Sequence, residues 1–121
     1  MTENKRKKGS AYEDLAAKYR EDNGFKILER NFFCKFGEVD IIALEEGYLC
    51  FIEVKYRKAV SSGNPFEAVD IRKQRHISSA FDYYIMTHPK MSRFEIRFDV
   101  VGILDKDISI VRNAFSYCGR M

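Results

Sequence analysis

Apolar residues along this chain change their period several times, and each change marks an element. Behind Ser10, the residues Ala11, Tyr12, Leu15, Ala16 and Tyr19 recur at helical spacing, and Asn23-Gly24 supplies a stop, which predicts a first helix. Phe25-Lys26-Ile27-Leu28 reads as a strand leading into Phe32-Phe33. Two nearly continuous apolar runs, one around Val39, Ile41 and Ile42 and one around Phe51, Ile52 and Val54, flank the turn signal Glu45-Glu46-Gly47. Asn64-Pro65-Phe66-Glu67 opens a second helical region with Pro at the first helical position. Ile77, Ala80, Phe81, Tyr84 and Ile85 then form a stripe that packs on a sheet, and Thr87-His88-Pro89 ends it. Alternation returns with Phe94, Ile96, Phe98 and Val100, and Ile108 and Ile110 mark a further short strand. The order α-β-β-β-α-β-β predicts an α/β sandwich around a mixed sheet.

The central hairpin has a predicted register. A two-residue turn at Glu46-Gly47 puts Glu45 opposite Tyr48, and the same pairing carried down the strands sets Asp40 opposite Glu53 and Glu38 opposite Lys55. Directly opposed side chains share a face with Cβ atoms about 4.5–5.5 Å apart, and like charges so placed repel. On that face Ile42, Leu44, Leu49 and Phe51 form an apolar end and Glu38, Asp40, Glu53 and Lys55 a charged end. The other face, Val39, Ile41, Ala43, Cys50, Ile52 and Val54, carries no charge, as expected of strands covered on both sides. Carboxylates among such neighbours are costly to bury alone. Either a hard divalent cation such as Mg²⁺ or Mn²⁺ lies between Asp40 and Glu53, or the charges form a buried ion-pair network such as Glu38 with Lys55.

Gly37-Glu38-Val39-Asp40-Ile41-Ile42-Ala43 followed by Phe51-Ile52-Glu53-Val54-Lys55-Tyr56-Arg57 resembles the PD-(D/E)XK nuclease signature. Together with Tyr12-Glu13-Asp14-Leu15-Ala16, Gly24-Phe25, Glu29-Arg30-Asn31, Gly63-Asn64-Pro65, Lys73 and Phe98-Asp99-Val100-Val101, the chain from about Gly9 to Val101 is similar to the small bacterial YraN family. That family is related to archaeal Holliday-junction resolvases and restriction endonucleases. The resemblance implies a restriction-endonuclease-like three-layer α/β/α core and metal-dependent hydrolysis of phosphodiester bonds in DNA, branched or recombination and repair intermediates included. Asp40, Glu53 and the carbonyl of Val54 would then hold the metal, Lys55 would be the catalytic lysine, and Glu13 would bring a further carboxylate. Glu38 stands where the signature has Pro. Arg57, Lys58 and Lys73 would bind the nucleic acid. A non-cleaving binding module of the same fold is the alternative.

Glu13 also completes a capping box with Ser10, a purely structural role. Asp99 points away from the Phe94 to Val100 face and reads as structural or as a support for the site. Phe115, Tyr117 and Cys118 either form a homodimer interface or close the core.

Composition narrows the setting. With 121 residues, 45% hydrophobic and 32% charged, residues 9–121 read as one domain behind a basic, flexible tail over residues 1–8. Lys5-Arg6-Lys7-Lys8 has no apolar run after it, so it is no secretory signal, and no stretch approaches the roughly 20 apolar residues of a membrane span. The odd, scattered Cys34, Cys50 and Cys118 suit reduced thiols and a cytoplasmic setting. The net charge of +3 is mild, but Lys55-Tyr56-Arg57-Lys58 and Arg72-Lys73-Gln74-Arg75-His76 gather positive charge near the carboxylates, as a phosphate-binding surface would. The expected partner is DNA, with no membrane and no small-molecule organic cofactor.

Overall fold

The structure, a computed structural model, describes residues 14, 16–18, 22, 24–57, 69–105 and 107–119, with the side chain of Arg57 outside that set. Glu13, Lys58, the basic tail, most of the predicted first-helix stripe and the Asn64-Pro65 start lie outside the described residues.

A first helix, α1, is helical at residues 14, 16–18 and 22. It leads to β1 (Lys26–Cys34), β2 (Gly37–Glu45) and β3 (Tyr48–Arg57), then α2 (Ile71–Thr87), a short 3₁₀ turn (Pro89–Arg93), β4 (Glu95–Leu104) and β5 (Asp107–Phe115). The strands form one mixed sheet in the order β1-β2-β3-β4-β5. Every neighbouring pair is antiparallel except β3 and β4, which run parallel because α2 carries the chain back between them.

The two faces bury different sets. Ile41, Ala43, Cys50, Ile52, Val101 and Ile103 pack with Ala16 and Ala17 of α1. Ile42, Leu49, Phe51 and Phe98 pack with Ile77, Ala80 and Tyr84 of α2. The sheet therefore lies between two helical layers, and β2 and β3 are apolar on both faces, as their near-continuous apolar runs require. Edge-to-face contacts of Phe51 with Phe81 and Tyr84, at centroid distances of 5.5 and 5.7 Å, lock α2 on its side.

Helix α2 begins at Asp70, whose side chain accepts from the Lys73 amide at 2.9 Å. The helix that bears the predicted stripe is thus capped at Asp70, beyond the Asn64-Pro65 start predicted for the region. After β5, Phe115 stacks on Phe98 at 5.0 Å, Tyr117 bonds to Asp82, and the Cys118 amide bonds to Ser78 at 3.1 Å. Within this chain the C-terminal apolar residues close the α2 layer. No helix among the described residues is long and apolar enough to cross a membrane.

Candidate active site

The β2–β3 hairpin folds in the predicted register. Glu46 and Gly47 both take positive φ, 45° and 87°, and Glu45 pairs with Tyr48, Leu44 with Leu49, Ala43 with Cys50, Ile42 with Phe51 and Ile41 with Ile52. Below Ile41 and Ile52 the pairing stops. There Asp40 turns its carboxylate toward β3, and Oδ2 accepts from the Val54 amide at 2.7 Å. The expected direct opposition of Asp40 and Glu53 is replaced by a point where the strands part, with the Asp40 side chain bridging them.

Arg30 pairs with Ile41 and Phe32 with Val39; Asn31, between them, has φ of 54°. A left-handed residue inside a strand breaks its alternation. Ile41 packs in the α1 layer, whereas Val39, two residues away, packs in the α2 layer with Phe32. Val39 was expected on the uncharged face with Ile41; it lies on the other, so the alternation of β2 breaks between Val39 and Ile41.

Glu53 and Lys55, two residues apart on β3, both meet residues of α2. Asp40 and Glu53 are buried, with 8% and 5% of their surface exposed. Glu53 Oε2 is buried, and among the described residues its one partner is Lys73 Nζ, 3.2 Å away as an ion pair. Burial works against the Lys73 ammonium, yet Glu53 beside it, with Asp40 and Glu38 nearby, holds its pKa above the ordinary lysine value. Lys55, Asp70, Arg72, Lys73 and His76 line an open groove of about 290 Å³. The buried carboxylates therefore border a basic channel on one face of the sheet. A larger cavity of about 340 Å³, lined by Lys35, Phe36, Asp82, Tyr83 and Met86, contains none of the predicted site residues.

Of the expected residues, Asp40, Glu53, Val54, Lys55 and Lys73 come together here. Arg57 belongs to β3, but its side chain is outside the described set, as are Glu13 and Lys58. The ion pair of Lys73 with Glu53 was not read from the sequence; the run Arg72-Lys73-Gln74-Arg75-His76 signalled positive charge near the carboxylates but not which of its members meets Glu53.

The donor chemistry suits a hard divalent cation. Both carboxylates supply oxygens, Glu53 Oε2 is a buried acceptor with no partner among the described residues besides Lys73, and Mg²⁺ is commonly held through one or two carboxylates with water completing its shell. No cluster of three or more His, Cys, Asp or Glu side chains occurs among the described residues, so the carboxylate pair is the set available to such an ion there.

Asp99, fully buried, belongs to a separate network. Arg97 Nε and Nη2 bind its two oxygens at 2.9 Å, Asn113 N donates to Oδ1 at 2.9 Å, and Glu45 bridges Arg97 and Arg112. Arg97 also lies 5.0 Å from the Tyr48 ring centre. The partners of Asp99 in this network are Arg97 and the Asn113 amide.

The sequence profile of Uncharacterised protein family UPF0102 matches residues 12–103. A UPF0102 protein of Lachnoclostridium phytofermentans is 44% identical over 116 residues, covering 96% of this chain and 98% of the relative. One from Caldicellulosiruptor saccharolyticus is 40% identical and covers 93% and 99%, and one from Stutzerimonas stutzeri is 37% identical and covers 88% and 92%.

Proposed function

The chain belongs to the UPF0102 family, the YraN family of the sequence comparison above, and we propose that it is a metal-dependent endonuclease that hydrolyses phosphodiester bonds in DNA. The observation that carries this reading is that two buried carboxylates, Asp40 and Glu53, flank the point where β2 and β3 part, with Glu53 paired to Lys73, which lines a groove with Lys55, Arg72 and His76. Acid at the floor and base along the wall suit a phosphodiester held by its anionic oxygens over a cation. The resemblance to PD-(D/E)XK nucleases and to the resolvase-like fold points the same way.

Asp40, Glu53 and the Val54 carbonyl would hold Mg²⁺ or Mn²⁺. When bound, the ion supplies Lewis-acid polarisation of the phosphate and a more acidic water. Lys55 projects into the groove, where its ammonium stabilises negative charge building on the phosphorus oxygens. Arg72 and His76 hold the flanking backbone, contacts that position a strand without reading its sequence. The Asp40 bond to the Val54 amide orients that carboxylate before any ligand arrives. Arg57, Lys58 and Glu13 are assigned to DNA and metal on the resemblance alone.

The test is cleavage of labelled duplex, single-stranded, flapped and four-way-junction DNA with Mg²⁺ or Mn²⁺, beside Asp40→Asn and Glu53→Gln. Cutting that disappears in both variants supports the nuclease. Undiminished cutting by both removes this site. Salt-sensitive binding by all three proteins without cutting favours a binding module of the same fold.

A further inference from the structure

Lys73 stands at a buried carboxylate oxygen of the proposed metal site. Its Nζ lies 3.2 Å from Glu53 Oε2, and that oxygen has no other hydrogen-bonding partner among the described residues. The backbone beneath the lysine is held fast: its amide donates to Asp70 Oδ1 at 2.9 Å, the Gln74 amide to Asp70 O at 2.9 Å, and Gln74 Nε2 to Val69 O at 3.1 Å. The ammonium itself rides on a flexible four-carbon stem and is 36% exposed as a side chain, so it can reach either Glu53 or the groove it lines.

We propose that Lys73 is the resident cation of this site: it neutralises Glu53 in the metal-free protein and is displaced by an incoming divalent ion, swinging into the groove to meet a phosphate of the bound strand. The inference rests on the metal-dependent reading above.

Two buried carboxylates without a countercharge repel and strain the fold, so the apo protein requires a positive group at Glu53. An ammonium and a divalent ion cannot both sit on Oε2 without mutual repulsion. Metal therefore binds only by expelling Lys73. A phosphate in the groove, offering the expelled ammonium a second anion, makes that exchange easier. Metal and substrate thus assist each other's binding through one side chain, which makes Lys73 a positioning residue rather than a catalytic one.

The experiment is Mn²⁺ binding followed by the electron paramagnetic resonance signal of the free ion, with thermal unfolding in chelator and in Mn²⁺. The proteins are wild type, Lys73→Met, Lys73→Arg, Arg72→Met and Asp40→Asn. Lys73→Met is expected to bind Mn²⁺ roughly three- to tenfold tighter than wild type, because a partly screened unit charge is removed from the ligand oxygen. Arg72→Met, which loses an equal charge from the same groove, should change affinity less, and Lys73→Arg should stay near wild type. In chelator Lys73→Met should unfold at a lower temperature than wild type, and Mn²⁺ should restore it. Lys73→Met binding no tighter than Arg72→Met, while wild type binds through Asp40, overturns the exchange and leaves the metal site standing. Folded proteins that bind no Mn²⁺ at all, Lys73→Met included, overturn the metal reading and this inference together.

Discussion

Asp40 Oδ2 accepts a 2.7 Å hydrogen bond from the amide of Val54, across the point where β2 and β3 cease to pair. One side chain therefore does what a ladder bond does higher in the hairpin, and does it while remaining on the border of the basic groove. Its structural and chemical roles can be separated. Asp40→Ala leaves the Val54 N–H without its acceptor and should cost about 1–3 kcal/mol in urea unfolding. Asp40→Asn keeps an acceptor oxygen and should lose less stability, while losing Mn²⁺ binding and cleavage as fully as the alanine variant.

The groove should report its own composition through salt. Arg72→Met and Lys55→Met should each weaken DNA binding evenly across sequences and reduce the slope of log affinity against log salt by about 1. Lys55→Met should in addition lower cleavage roughly 10²–10³-fold, as the loss of a transition-state donor does. Fluorescence anisotropy across a salt series, paired with single-turnover cleavage, separates the two residues.

Removing Arg97 takes the guanidinium from Asp99 and leaves Glu45 to Arg112 alone. Its guanidinium binds Asp99, which is fully buried, and Glu45. Arg97→Ala should destabilise the fold by about 3–5 kcal/mol in chemical denaturation, the usual result of breaking a buried pair from one side. The lesion lies away from the groove, so at temperatures where the variant is folded its Mn²⁺ affinity should match wild type.

Acid sensitivity follows from Glu45. The bonds from Arg112, and with them those from Arg97, hold its carboxyl below the ordinary value of 4.5, against a smaller opposing effect of burial. Because the folded state binds the proton less readily than the unfolded chain, this stabilisation is complete above pH 4.5 and is lost as pH falls through the lower folded-state value. Glu45→Gln should be less stable than wild type at neutral pH, and the gap should narrow on acidification, as read by melting temperature against pH.

Much of the site was legible because strands and hairpins are local. The Glu46-Gly47 turn alone set the pairing of Glu45 through Ile41, and with it the apolar sets on both faces of β2 and β3. Val39 escaped that logic, since strict alternation along β2 breaks between Val39 and Ile41, where its pairing with β3 ends. The charged network of Arg97, Asp99, Glu45 and Arg112 was equally hidden. Arg97 and Asp99 stand two apart in β4 and so share a face, but their partner Glu45 reaches them only through sheet assembly.

The sequence by itself determined the order of elements, the hairpin register and the presence of Asp40, Glu53 and Lys55 at one end of buried strands, because side-chain period and turn chemistry act over a few residues. Only the tertiary structure decided that Asp40 bridges to Val54 and that Lys73 lies against Glu53. It also decided that the acids at the hairpin's other end are held by arginines of β4 and β5. Those contacts join residues far apart in the chain, and their distances are set by where α2 and the outer strands pack, which no local pattern encodes.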